Sequence, residues 1–67
     1  MVNYDKIRQL MIARKIQNQE FADKVGVSAS MMSYITRGLR EPNVTTLARI
    51  AHELGCTVDE LLVKSAN

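Results

Sequence analysis

The chain has 67 residues, one cysteine and a formal net charge of +2. A single cysteine excludes an internal disulfide, and no apolar run approaches the roughly 18 residues that a membrane-spanning helix needs. These features predict one domain, 1–67, in the reducing cytoplasm, with no membrane partner.

The charge is unevenly distributed along the chain. Residues 1–40 carry seven basic and three acidic side chains, a net charge of +4, whereas residues 41–67 carry two basic and four acidic ones, a net charge of −2. A basic half suits docking onto an anion such as nucleic acid, and an ordinary mixed surface is the alternative interpretation.

Apolar spacing predicts helices throughout, and no stretch alternates at period two for long enough to indicate a strand. The first helix is expected from residue 3 or 4 to residue 15. The second is expected over 18–25, where Gly26 supplies a left-handed stop. The residues predicted to face the core are Tyr4, Ile7, Leu10 and Met11 in the first helix and Phe21, Ala22 and Val25 in the second.

The third helix is predicted to begin after Ser28, whose side chain can cap it, and to end at Gly38. Its inward residues are expected to be Met32 and Ile35. A loop with Pro42 follows, because proline disfavours helix at the residue before it.

The fourth helix is predicted over about 45–54 and has the cleanest amphipathic spacing in the chain. Its inward residues are Leu47, Ile50, Ala51 and Leu54. Thr57 and Glu60 then have the spacing of a capping box, which predicts a last helix to about residue 63. The tail 64–67 is predicted to be frayed.

The segment 18–37 has the pattern of a helix-turn-helix: a helix that ends at Gly26, one apolar residue, a serine cap and a second amphipathic helix. Ala22 is small where the two helices are expected to cross. The exposed face of the third helix has no role in the core, and its N-terminal end is small and polar. Such a helix fits a groove about 12 Å wide, which predicts docking in the DNA major groove.

Residues 18–62 resemble the phage-repressor-like Cro/Xre-type helix-turn-helix family over nearly the whole domain. The matching positions include Glu20-Phe21-Ala22, Val25-Gly26-Val27-Ser28, Ser30, Ile35, Arg37-Gly38, Pro42, Leu47, Ile50-Ala51, Leu54-Gly55 and Asp59-Glu60-Leu61-Leu62. The resemblance implies an all-α, compact five-helix, lambda-repressor-like DNA-binding domain.

The resemblance also implies roles for individual residues. Those expected to face DNA bases are Ala29, Ser30, Ser33 and Tyr34. Those expected near the DNA backbone are Asn18, Ser28, Arg37 and Arg40. Alternative roles remain open: Tyr34 could cover part of the core, Ser33 could bond to its own backbone, and Arg37 could be a solvated helix end.

Two positions depart from the family pattern. The family usually begins its second helix with Ser or Thr followed by Gln, whereas this chain has Gln17 followed by Asn18. Asn18 could therefore cap the helix itself, which would move its start by one residue and weaken the phosphate contact. Met11 and Thr36 replace an Arg–Glu pair that often links the first and third helices, and their joint presence leaves no unpaired buried charge. This exchange predicts an intact fold with one brace fewer on the third helix.

The predicted function is a sequence-specific transcriptional regulator, a repressor that binds a pseudo-palindromic operator as a homodimer with half-sites about 34 Å apart. By the resemblance, the dimer would use Val58, Leu62 and Val63, which could instead complete the monomer core. The alternative function is an antitoxin-like or anti-regulator module with a protein partner. The second function would be expected to need a long disordered or hydrophobic extension for wrapping a partner. None is expected here, which favours the first interpretation, although a partner could also use the exposed face of the first helix.

No enzyme is expected, because one histidine, one cysteine and no phosphate-binding glycine loop do not assemble a nucleophile, base and oxyanion site. His52 and Cys56 are four residues apart, but Gly55 interrupts the helix and no second ligand pair exists, so no metal is expected. Neither a cofactor nor a small-molecule ligand is implied.

Overall fold

A computed structural model describes residues 1–63, and the predicted fraying of 64–67 lies outside this range. Within 1–63 the chain forms four α-helices and a single 3-10 turn at Asp59–Leu61. The helices are α1, Tyr4–Ala13; α2, Asn18–Val25; α3, Ala29–Thr36; and α4, Val44–Leu54. The predicted all-α class is confirmed, but the count of five helices is not.

The predicted fifth helix is wrong, although its capping box forms. The backbone N–H of Thr57 donates to the Glu60 carboxylate at 3.2 Å, and the N–H of Glu60 donates to the Thr57 hydroxyl at 3.3 Å. The chain then becomes extended at Leu62, which forms an isolated antiparallel bridge with Val2. This pairing with the N-terminal residues uses backbone groups that a longer helix would need.

Asparagine and serine side chains cap three of the four described α-helices at their N-termini. Asn3 accepts a hydrogen bond from the N–H of Lys6 at the start of α1, and Ser28 does the same for α3. Asn43, which was not predicted as a cap, accepts from the N–H of Thr46 at 2.8 Å and starts α4 one residue earlier than expected. Each cap satisfies a donor that has no partner within its helix.

The first helix ends two residues earlier than predicted, at Ala13. The N–H of Ile16 donates to the carbonyl of Met11 at 2.9 Å, and the N–H of Lys15 donates to the carbonyl of Ile12 at 3.1 Å. These two bonds form a Schellman motif, which needs a left-handed residue after the helix. Lys15 takes that conformation with a φ of 55°, without a glycine to signal it in the sequence.

One apolar core joins all four helices, the 3-10 turn and Val2. The predicted inward residues are buried, except that Tyr4 and Leu10 are only partly buried at its edge. The buried residues of this core are Val2, Ile7, Met11, Phe21, Ala22, Val25, Met32, Ile35, Leu47, Ile50, Ala51, Leu54 and Leu61. The inner faces of α2 and α3 therefore pack on the core, and the outer face of α3 is exposed to solvent.

Candidate nucleic-acid interface

The corner between α2 and α3 is fixed by backbone geometry. Gly26 ends α2 in the left-handed conformation, with a φ of 89°. The N–H of Val27 then donates to the Ala22 carbonyl at 3.0 Å, and the Val27 side chain packs against the core. Ala22 is completely buried. The predicted helix-turn-helix corner is therefore present.

The outer face of α3 forms one shallow concave surface, which we call the α3 face. Its lining residues are Ala29, Ser30, Ser33, Tyr34 and Arg37. They comprise the four residues predicted to face bases and one predicted to contact the DNA backbone. The sequence thus identified which side chains share this surface.

Tyr34 is the largest exposed side chain of the α3 face, and 45% of its surface is accessible. The guanidinium carbon of Arg37 lies 5.4 Å from the centre of the Tyr34 ring, a distance suited to a cation–π interaction. The Nε–H of Arg37 donates to the Ser33 carbonyl at 3.3 Å. The sequence did not predict this contact, because it depends on the direction of the Arg37 side chain.

The N-terminal end of α3 carries the cap that Ser28 was expected to supply. The Ser28 hydroxyl oxygen accepts from the N–H of Met31 at 3.0 Å, and the residue is exposed. Its hydroxyl proton therefore remains available to donate to an anion such as a phosphate.

Asn18 holds α2 against α3. Gln17, and not Asn18, occupies the N-cap position of α2, so the alternative in which Asn18 caps the helix is wrong. The side-chain amide of Asn18 instead donates to the Ala29 carbonyl at 3.1 Å. One amide proton and the amide oxygen are left for a DNA contact.

A brace between α1 and α3 exists, at a position that the sequence did not indicate. The Arg8 guanidinium donates to the Thr36 carbonyl at the end of α3 and also pairs with Asp5. This bond satisfies a carbonyl that has no partner within α3. The three-residue spacing of Asp5 and Arg8 could have indicated their ion pair within α1, but not the bond to α3.

The remaining predicted residues are Arg40, expected near the DNA backbone, and the three residues of the predicted dimer interface. Arg40 is exposed in the loop after α3. Val58 and Leu62, from the predicted dimer interface, pack partly against the core, whereas Val63 is 50% exposed. The N–H of Val63 donates to the Met1 carbonyl at 2.8 Å, so the exposed Met1 side chain belongs to the same edge of the molecule.

Two other kinds of feature bear on function in residues 1–63: metal-binding groups and membrane-spanning helices. Within residues 1–63, no three His, Cys, Asp or Glu side chains come together in a group that could hold a metal. His52 is exposed and Cys56 is half-buried, and burial, with a smaller effect of Glu60, raises the pKa of the Cys56 thiol. None of the described helices is long and apolar enough to cross a membrane.

Comparison with known families identifies the fold. A family model described as "Helix-turn-helix" matches residues 7–61, which is most of the chain. The chain belongs to the phage-repressor-like Cro/Xre-type helix-turn-helix family. A comparison with curated protein sequences found no match.

Two solved structures of regulators are similar to the chain. The solution structure of the DNA-binding domain of the P22 C2 repressor superposes with a TM-score of 0.84 at 30% identity, covering 91% of this chain and 80% of that one. The clp gene regulator ClgR from Corynebacterium glutamicum has a TM-score of 0.78 at 27% identity and covers 82% of this chain. The match spans 58% of the ClgR chain. With the family match, these likenesses support a DNA-binding transcriptional regulator.

Proposed function

We propose that the chain is a sequence-specific repressor that inserts α3 into the major groove of double-stranded DNA. The observation that carries the proposal is the α3 face, in which small side chains at one end lead to Tyr34 and Arg37 at the other. A face of this shape lets the helix backbone approach base edges closely, and its hydroxyl, phenol and guanidinium groups can donate to them.

Repression would follow from occupancy of the operator by the protein. The structural relative from P22 is a repressor, and this likeness supports the same direction of regulation here. A protein that holds an operator blocks polymerase or a competing regulator without performing a reaction. This mechanism needs affinity and specificity only.

A homodimer is the proposed binding form. One small module buries too little surface for tight specific binding, whereas two modules related by a twofold axis would read half-sites about 34 Å apart. The exposed edge formed by Met1 and Val63 supports an interface near the residues that the family resemblance implies. Replacement of Val63 by glutamate should weaken the dimer while the monomer stays folded, since half of this side chain is already in solvent.

Sedimentation at micromolar protein, with and without DNA, tests the dimer. A dimer on DNA that Val63→Glu weakens is the expected result. Only monomers under both conditions would contradict it.

An exposed apolar surface on α1 favours a second candidate function, in which another protein is the main partner. Ile12 is 77% exposed and lies beside Met11 and Ile16 in a shallow cleft. An antitoxin-like or anti-regulator module would use such a surface. Such a module would differ from the proposed repressor in binding DNA without sequence preference.

Selection of bound fragments from random duplex DNA at about 150 mM salt separates these two functions. An inverted repeat whose half-site centres lie one helical turn apart supports the dimeric regulator. Weak binding that selects no sequence and disappears with rising salt would refute it and favour the protein-partner function.

A further inference from the structure

The two longest side chains of the α3 face, Tyr34 and Arg37, contact each other. Arg37 follows the last residue of α3, but its side chain runs back along the helix, as helical side chains do. The bond from its Nε–H to the Ser33 carbonyl and the cation–π contact with the Tyr34 ring hold it there. The guanidinium therefore lies above the last turn of α3, where Arg37 lines the α3 face.

The other members of the α3 face offer little hydrogen-bonding discrimination between bases. Ala29 presents a methyl group, and Ser30 and Ser33 each present one hydroxyl that can donate or accept. Arg37 has five N–H donors, of which the Nε–H is used by Ser33. Its two Nη groups carry the other four N–H donors, arranged as a planar fork.

We propose that Arg37 reads a guanine in each half-site through its Nη groups, with the Tyr34 ring holding the guanidinium in place. This inference rests on the proposed function and departs from the phosphate contact that the family resemblance implies for Arg37. Guanine presents two adjacent acceptors, O6 and N7, in the major groove, and a guanidinium fork matches that pair. The contact with the ring reduces the side-chain freedom that binding would otherwise remove.

A base contact and a phosphate contact predict different consequences for the same substitution. Loss of a base contact relaxes the preference at one position of the site, whereas loss of a phosphate contact weakens binding to all sequences and lowers its salt dependence. Arg37→Met and Arg40→Met remove the same charge from two exposed arginines near the end of α3. Arg40→Met is therefore the matched control for charge.

The first test is selection from random duplex DNA with the intact chain, Arg37→Met and Arg40→Met. The intact chain and Arg40→Met should both recover an inverted repeat with an invariant guanine in each half-site. Arg37→Met should recover the repeat with that position randomised. Tyr34→Phe should keep the guanine, and Tyr34→Leu should weaken its selection, because leucine offers no ring to hold the guanidinium.

The second test replaces the selected guanine with 7-deazaguanine, which keeps base pairing but lacks the N7 acceptor. The affinity of the intact chain should fall by about tenfold, within the range for one strong base contact. The affinity of Arg37→Met should not change.

The outcomes separate this inference from the proposed function. If the intact chain selects an inverted repeat, but Arg37→Met recovers the same repeat with uniformly weaker binding, the guanine contact is refuted and the regulator stands. An equal effect of 7-deazaguanine on both proteins would also refute the contact. If the intact chain selects no sequence, both the proposed function and the guanine contact are refuted.

Discussion

Replacement of Gly26 by alanine tests the construction of the helix-turn-helix corner. A non-glycine residue in the left-handed region costs about 1–2 kcal/mol, and the stiffer unfolded chain returns about 0.4–1 kcal/mol. Backbone strain alone therefore predicts a loss of about 1 kcal/mol. The added Cβ would also lie 2.8 Å from Nη1 of Arg49, the atom that donates to the Val25 carbonyl at 3.4 Å.

The Arg49 side chain is flexible and will move, so the added cost is that of its hydrogen bond. A long bond of this kind contributes about 0.5 kcal/mol, at the low end of the usual range. Gly26→Ala should therefore lower the free energy of unfolding by about 1.5 kcal/mol. A domain of this size has about 3–5 kcal/mol in total, so the change is readily measured by urea unfolding followed by circular dichroism.

Gly55 is the matched control, because its φ is 71° but a Cβ there would lie no closer than 3.8 Å to the Arg14 guanidinium. Gly55→Ala should lose about 1 kcal/mol from strain alone. In an Arg49→Ala background, the cost of Gly26→Ala should fall to that same value. Equal costs for the two glycine substitutions, or an unchanged cost of Gly26→Ala without Arg49, would show that the Arg49 contact adds nothing to the cost.

Three further predictions concern other described residues. Lys15→Gly should stabilise the fold by about 0.5–1 kcal/mol by relieving a positive φ, and Lys15→Ala should not; equal urea midpoints for the two variants would contradict this. Arg40→Met should reduce the slope of log affinity against log salt by about 1, and an unchanged slope would exclude a phosphate contact. Burial raises the pKa of the Cys56 thiol in the folded state, so the folded protein holds this proton more tightly than the unfolded chain does. The contribution of the thiol to the free energy of unfolding is therefore complete below the pKa of the unfolded state and is lost as the pH rises through the pKa of the folded state. Urea unfolding from pH 7 to 10 should show a decline that Cys56→Ala reduces, and identical profiles would contradict it.

The helices and their buried faces could be predicted from the sequence because burial against a single core imposes the helical spacing. The fourth helix is the clearest case, since Leu47, Ile50, Ala51 and Leu54 are all buried as expected. Gly26 likewise signals a left-handed helix end. The end of α1 carried no such signal, because Lys15 adopts this conformation without being glycine.

Features that depend on contacts distant in sequence could not be predicted. The bridge between Val2 and Leu62 joins opposite ends of the described chain and replaces the expected fifth helix. The bond from Arg8 to the Thr36 carbonyl spans 28 residues and uses a backbone acceptor, which leaves no trace in residue identity. In the candidate site, helical spacing identified which residues share the α3 face, but the position of the Arg37 guanidinium over Tyr34 depends on side-chain conformation.

The α3 face is the proposed DNA-binding surface. Titration of the isotope-labelled chain with a selected duplex, followed by nuclear magnetic resonance, tests it directly. The largest amide shift changes are expected across residues 28–37, with smaller ones at Asn18 and Arg40. Changes concentrated around Ile12 on α1, with residues 28–37 unaffected, would show that the α3 face does not bind DNA.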